Sequence, residues 1–262
     1  STSTKIMAAE TLTLHLMPGL DLRSIYSYDN TTVKDHIYYS ANHYKGSADN
    51  GNVNEYRTTY EKMVTSTTAN YTGTFDKHTV GTMVGFEAEK NKTDYVRATG
   101  SNLAVSTIHT VSTAGTQTSA GYSWGNSMVS VLSKLDYNYD ERYFISGSYR
   151  RDGSSAFSYT GNQWQNFYSV GLGWLMSEEA WMKDITWLDM LKLKGSWGTL
   201  GNQNLDRAYP AEPLLTNAYS AVFGTPSAIY PGYQLAYLPN PKLRWEKVEA
   251  WEAGAEANFL RN

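Results

Sequence analysis

Between Val129 and Arg150 the side chains change character at every second residue, a period that suits extended chain and not helix. Val129, Val131, Leu135, Tyr137 and Tyr139 fall on one face, with Ser133 the single exception. Ser130, Lys134, Asp136 and Asn138 fall on the other, beside Met128 and Leu132. After Asp140-Glu141-Arg142 the pattern resumes: Tyr143, Ile145, Gly147 and Tyr149 oppose Ser146, Ser148 and Arg150, with Phe144 near the turn. Two such runs around a short polar segment predict an antiparallel hairpin. Its apolar face has to meet a protein core or lipid, and alternation by itself does not choose.

The same period recurs along the chain. Leu12, Leu14 and Leu16 precede a Pro18-Gly19 turn, and Leu20, Leu22, Tyr26 and Tyr28 follow it. A further pair is expected over about 61–75 and 79–90, joined by Asp76-Lys77-His78, with Val80, Val84, Phe86 and Ala88 on its apolar face. Trp164, Tyr168, Val170, Leu172 and Trp174 share one face of a strand, and Leu191, Leu193 and Trp197 one face of the next. A last strand over about 243–259 carries Trp245, Trp251, Ala253, Ala255 and Phe259. Residues 177–188 suit one or two helical turns. Long polar segments without visible period, near 29–59, 91–125, 152–162 and 201–242, are expected as loops; the last is rich in proline. Compact links thus alternate with longer ones, which in a meander puts short turns at one end and long loops at the other. That is the pattern of an outer-membrane barrel, apolar outward and polar inward with aromatic girdles.

Composition agrees. The 262 residues include 21 tyrosines and 8 tryptophans, whose rings suit the headgroup level. Charge is near balance, with 22 Lys+Arg against 25 Asp+Glu, so no nucleic-acid footprint is present. The absence of cysteine excludes disulfides and thiolate chemistry. A soluble β-sandwich or β-rich adhesin would share the alternation; strand length, aromatic strand ends and the alternating loop lengths favour the barrel. The fold expected is all-β, an antiparallel up-and-down transmembrane barrel, of which residues 1–262 supply a partial wall of about nine strands. Both ends are expected to be cut, since the chain lacks an initiator methionine and stops just after an alternating run.

YNYDERYFISGSYRRDGSSAF (137–157) resembles a segment of the SusC/RagA-type TonB-dependent outer-membrane transporters. Further resemblances follow in order: WQNFYSVGLGWLMSEEAWMK, WLDMLKLKGSWGTLGNQNL and NPKLRWEKVEAWEAGAE, with FDKHTVGTMVGFEAEK upstream. Ala156 departs from the pattern, where a basic residue is usual. The resemblance implies a 22-stranded barrel around a plug domain, with plug and TonB box absent from this chain. It implies a SusD-like surface lipoprotein as lid, energy from the TonB complex through the missing plug, outer-membrane lipid around the wall, and oligosaccharide or peptide cargo. A passive porin or a structural adhesin barrel is the alternative.

At the long-loop end Arg150 and Arg151 are candidates for cargo or lid contact, or else for pairing at the rim beside an Asp152-Gly153 turn. Tyr219, Phe223, Tyr230, Tyr233 and Tyr237 offer ring faces to sugars or to the lid. The histidines (His15, His36, His43, His78, His109) lack metal spacing, and Asp49 to Glu55 misses the order of a calcium loop. Glu178, Glu179 and Glu246 have no partner at a spacing that argues acid–base work. Neither enzyme activity nor a cofactor is expected.

Overall fold

The computed structural model describes residues 1–203, 205, 209–224 and 228–259. Among them the strands follow as β1 (Thr2–Met17), β2 (Leu20–Tyr39), β3 (Asn52–Phe75), β4 (His78–Leu103), β5 (Ala114–Tyr139), β6 (Tyr143–Ser154), β7 (Trp164–Leu175), β8 (Leu188–Asn202), β9 (Leu215–Phe223), β10 (Ala228–Leu235) and β11 (Glu246–Phe259). β1 to β8 and β11 form one nine-stranded sheet in chain order, and β9 with β10 forms a separate hairpin. The architecture is the antiparallel meander the alternation predicts.

Its tight turns follow from local chemistry. Gly19 has φ +80°, and a Cβ there would stand 2.2 Å from the Thr72 carbonyl oxygen, so both conformation and space demand glycine. Its own carbonyl accepts the Thr72 N–H at 2.8 Å. Asp76 (φ 51°), Asp140 (φ 54°) and Glu141 (φ 51°) take left-handed conformations, which aspartate tolerates better than most residues.

The chain divides into two units. The first comprises Ser1–Leu14, Arg23–Thr67 and Glu87–Ser127; the second comprises His15–Leu22, Thr68–Phe86 and Met128–Asn262.

In the second unit the pairing registers extend the alternation across the sheet. Tyr137 faces Ile145, Ile145 faces Leu172, Gly147 faces Val170, Val170 faces Trp197, and Trp197 faces Trp251. One face therefore collects apolar and aromatic side chains, and we call it the outward face. The reverse, inward face collects Ser130, Lys134, Asp136, Ser146, Ser148, Lys192, Lys194, Ser196 and Glu252. Outward residues stay uncovered: Leu172 is 59% exposed and Trp251 77%. Exposed apolar surface on this scale calls for a nonaqueous neighbour.

In the first unit the stretches of β3 to β5 are mostly polar. β3 runs 24 residues and β4 and β5 26 each, where a tilted membrane strand needs about ten, and each of the three has residues in both units. The segments expected as loops are largely strand: β2 continues to Tyr39 and β3 begins at Asn52, so residues 40–51 are the connection; β4 continues to Leu103 and β5 begins at Ala114, leaving 104–113. Cross-strand polar pairs replace apolar ones, including Thr32–Thr59 (3.4 Å), His36–Glu55 (2.6 Å) and Thr99–Asn54 (2.9 Å). A small core of Val53, Leu103 and Ala114 packs with Tyr38 and Val111. Loop 40–51 is tied down by the Asn102 N–H to the Asp49 carbonyl (2.7 Å), and Tyr38 stacks on His109 at 3.6 Å.

Three further expectations change. The 201–242 segment holds the β9–β10 hairpin; Asp152 and Gly153 continue β6, paired with Ser130 and Val129, instead of turning; and Trp245 precedes β11 and is buried. In the last two cases a partner distant in sequence supplied what local pattern lacked. Where one or two helical turns were expected over 177–188, a 3-10 turn lies at Met176–Glu178.

Candidate functional site

On the inward face, at the loop end of β5 and β6, Arg150 donates from Nε to Asp152 Oδ1 (2.7 Å) and from Nη2 to Ser130 Oγ (2.8 Å). Ser130 and Asp152 are buried cross-strand partners. Beside them the 155–163 loop folds its Phe157 against Ala156, Phe167 and Trp245, with Met128, Leu205 and Leu243 at the margin. Trp245 Nε1 donates to the Gln163 carbonyl (3.0 Å), and Asn162 Nδ2 to that of Leu243 (3.0 Å). The hydroxyls of Ser155 and Tyr209 meet at 3.2 Å, and Tyr159 donates to Glu212 at 3.1 Å. Two connections distant in sequence are thereby joined into one rim. Thr199 completes it: β7–β8 pairing runs to Ser169–Gly198, and the buried Thr199 hydroxyl then accepts the Tyr168 N–H at 3.0 Å.

Arg151 leaves β6 on the outward face, where its guanidinium lies 5.2 Å from the Trp164 ring centroid. The two arginines are thus separated by the pleat. Gly153 makes room for that ring, since a Cβ there would stand 2.7 Å from it. Tyr149 and Tyr168 pack at 5.3 Å, and Trp197 and Trp251 at 5.9 Å. At the other end Tyr143 lies 6.2 Å from Tyr139 and 6.4 Å from Trp174. Trp164 and Trp174 are ten positions apart on β7, about 33 Å along the strand; at a tilt of about 40° this is about 25 Å, the height of a barrel's apolar band.

Glu179, which sequence spacing left without a role, anchors the short-turn end. It accepts from Tyr143 Oη (2.5 Å) and Trp174 Nε1 (3.1 Å) and lies 3.6 Å from Arg142. These hydrogen bonds, with the Arg142 charge, hold its carboxyl below the ordinary carboxylate range. Asp140 is lowered likewise, first by its hydrogen bond from Arg142 and then by that from Lys77. The signal was Glu179 five residues beyond Trp174, visible only once β6 lies beside β7.

Further along the inward face Lys192 stands 4.5 Å from the Phe144 ring, and Lys194 reaches Glu256 at 2.5 Å. Gly171 and Gly173 leave space for Ser146 and Phe144. Of the predicted loop aromatics, Tyr230 and Tyr233 are exposed on β10, and Tyr237 donates to the Tyr209 carbonyl at 2.8 Å. The side chains of Tyr219 and Phe223 lie outside the described residues. All five histidines find hydrogen-bond partners: Asp21 for His15, Glu55 for His36, the Lys45 N–H for His43, Tyr137 for His78 and the Ser106 carbonyl for His109. Within 49–55, Asp49 accepts from Asn52, an internal tie of the loop.

A meander with an aromatic-bordered apolar face and a polar reverse is the wall of an outer-membrane β-barrel. Residues 9–262 match the family described as TonB dependent receptor-like, beta-barrel, and the chain belongs to it. Its relatives make it of the SusC/RagA type. It is 37% identical over 142 residues to TonB-dependent receptor SusC of Bacteroides thetaiotaomicron, covering 53% of this chain and 14% of that protein. With TonB-dependent receptor P39 of Formosa agariphila it shares 26% identity over 259 residues, 95% of this chain and 24% of that one. The fold matches the structure of the RagAB peptide transporter with a TM-score of 0.86 and 23% identity, over 98% of this chain and 28% of that chain. The chain thus spans between about a seventh and somewhat over a quarter of the proteins it resembles.

Proposed function

We propose that the protein imports oligosaccharides or peptides across the outer membrane, with energy delivered through TonB and with a SusD-like lipoprotein as lid. The observation that carries this reading is the wall's asymmetry: the outward face suits lipid, and the inward face carries paired charges, hydroxyls and glycines suited to a wet conduit. The family membership and the SusC likeness support the energised form over a passive pore. Lid contact falls to the β9–β10 hairpin, where Ile229, Tyr230, Tyr233 and the nearby Leu238 are exposed, an apolar set that suits a protein partner. Arg150 serves the rim from within its bonds to Ser130 and Asp152; Arg151 anchors the wall at the headgroups.

Uptake of labelled oligosaccharides and peptides by cells carrying the intact protein tests this. Uptake is expected to stop when TonB is deleted or the inner-membrane proton gradient is collapsed. Uptake that survives both treatments would establish the passive pore instead.

A further inference from the structure

The link between β7 and β8 takes twelve residues, 176–187, where those after β1, β3 and β5 take two or three. A barrel needs no such length at its short-turn, periplasmic end. The excess is ordered. The Glu179 N–H donates to the Met176 carbonyl (3.1 Å), Met182 to Glu179 (2.9 Å), Ile185 to Met182 (3.0 Å) and Leu188 to Ile185 (3.4 Å). Linked turns of this spacing give the segment two sides. Every third residue from Met176 to Leu188 is buried or half-buried, whereas Glu178, Trp181, Asp184 and Trp187 are exposed. Trp181 is 59% exposed and Trp187 56%.

Two contacts fix the side of the wall on which it lies. Glu179 accepts from Tyr143 Oη and Trp174 Nε1, which belong to cross-strand partners on the outward face. Trp187 stacks on Phe259 at 5.9 Å with 7° between planes, and Phe259 follows the outward parity of Trp251, Ala255 and Ala257 on β11. The segment therefore leaves β7 over the outer side of the wall and not into the lumen. Tyr143 and Trp174 already border the apolar band, at the height where such rings gather at a membrane–water interface. Trp181 extends that border beyond the strands. Exposed charge on the segment nearly cancels, Glu178 and Asp184 against Lys183, which suits zwitterionic headgroups; an anionic surface would call for a basic patch. A partner inside the barrel does not reach this side. The two rings together offer about 300 Å², where a specific protein interface takes about 800 Å² from each partner.

We propose that residues 176–187 form an interfacial anchor on the periplasmic leaflet, with Trp181 and Trp187 set among the headgroups of zwitterionic phospholipid. The anchor is additional to the rings of the strands, and it holds whatever the barrel transports and however transport is driven. The test uses the intact parent protein in vesicles of phosphatidylethanolamine and phosphatidylcholine, with a nitroxide on Trp181→Cys and any other cysteine of the parent replaced by serine. Relaxation of the label by dissolved oxygen is compared with that by a water-soluble nickel chelate. Leu172→Cys, in the apolar band, and Asp76→Cys, at the tip of a two-residue turn, set the limits. The oxygen-to-nickel ratio at position 181 should exceed that at 76 roughly fivefold and stay below that at 172. Because the label replaces the ring under test, native Trp181 is followed as the emission difference between the wild type and Trp181→Phe. Phospholipid brominated near the top of its chains should quench that difference about twofold, and aqueous iodide should leave it nearly unchanged. Heat-modifiable migration on gels identical to the wild type verifies that each variant is folded. A ratio at 181 equal to that at 76, with iodide quenching the difference emission, would overturn the anchor. Shielding from oxygen, nickel, bromine and iodide alike would overturn it too, since a protein would then cover the segment. Where the two probes differ, the native ring decides.

Discussion

Strand β5 carries its aromatic side chains at even positions early in its course, Tyr122 and Trp124, and at odd positions at its end, Tyr137 and Tyr139. The same reversal separates the two units. In the second, Tyr143, Tyr149, Trp164, Tyr168, Trp174, Trp197 and Trp251 take the outward face with the aliphatic residues. In β3 to β5 of the first, Tyr56, Tyr95 and Tyr122 meet on one face, and the reverse carries charges and hydroxyls. The outward face of the second unit suits hydrocarbon, whereas the charges on β3 to β5 of the first suit water.

The largest effect should come from placing one charge in each region. Leu172→Arg sets a guanidinium in the apolar band and should destabilise the folded barrel by about 2–4 kcal/mol. Val96→Arg, on the face of β4 that carries Lys92 and Asp94, should stay within about 0.5 kcal/mol. Urea unfolding of the intact protein in lipid vesicles compares them, and equal losses at both positions would break the contrast. Next in size, Trp174→Ala removes the ring packed near Tyr143 and a hydrogen bond to Glu179, and should cost about 1–3 kcal/mol. Tyr122→Ala should leave the unfolding midpoint nearly unchanged.

The smallest effect concerns pH. Glu179 and Asp140 are held below their unfolded values, so the stability they add is present in full above the ordinary carboxylate range. It is lost as pH falls through that range toward their lowered folded values. The urea midpoint should therefore be flat near neutrality and decline in acid, and Glu179→Gln should flatten the decline. A midpoint that rises on acidification would contradict the Glu179 anchor.

The parts of the chain that face two different solvents were legible. Residues 129–150 and 164–174 alternate because one side meets oil and the other water, and the structure keeps the faces read from that alternation. Residues 29–39, 52–60, 91–103 and 114–125 were read as loop because both of their sides are wet. Polar residues occur on both faces there, so the few rings that keep to one face do not stand out as a period, although Thr, Tyr and Val suit extended chain. Trp245 misled for a related reason: its alternation with Trp251 is genuine, but Phe157 and Phe167 come from elsewhere in the chain to bury it.

By itself the sequence determined the strand faces of the membrane-height wall, the tight turns at Pro18-Gly19, Asp76 and Asp140, and the family. Only the tertiary structure decided how far the polar strands run, that Arg150 and Arg151 part to opposite faces at a rim bonded across distant loops, and that Tyr56, Tyr95 and Tyr122 meet across three strands. The physical reason is one of range. Alternation and turn propensity act between neighbours along the chain, whereas register, cross-strand ion pairs and stacked rings depend on which strand lies alongside.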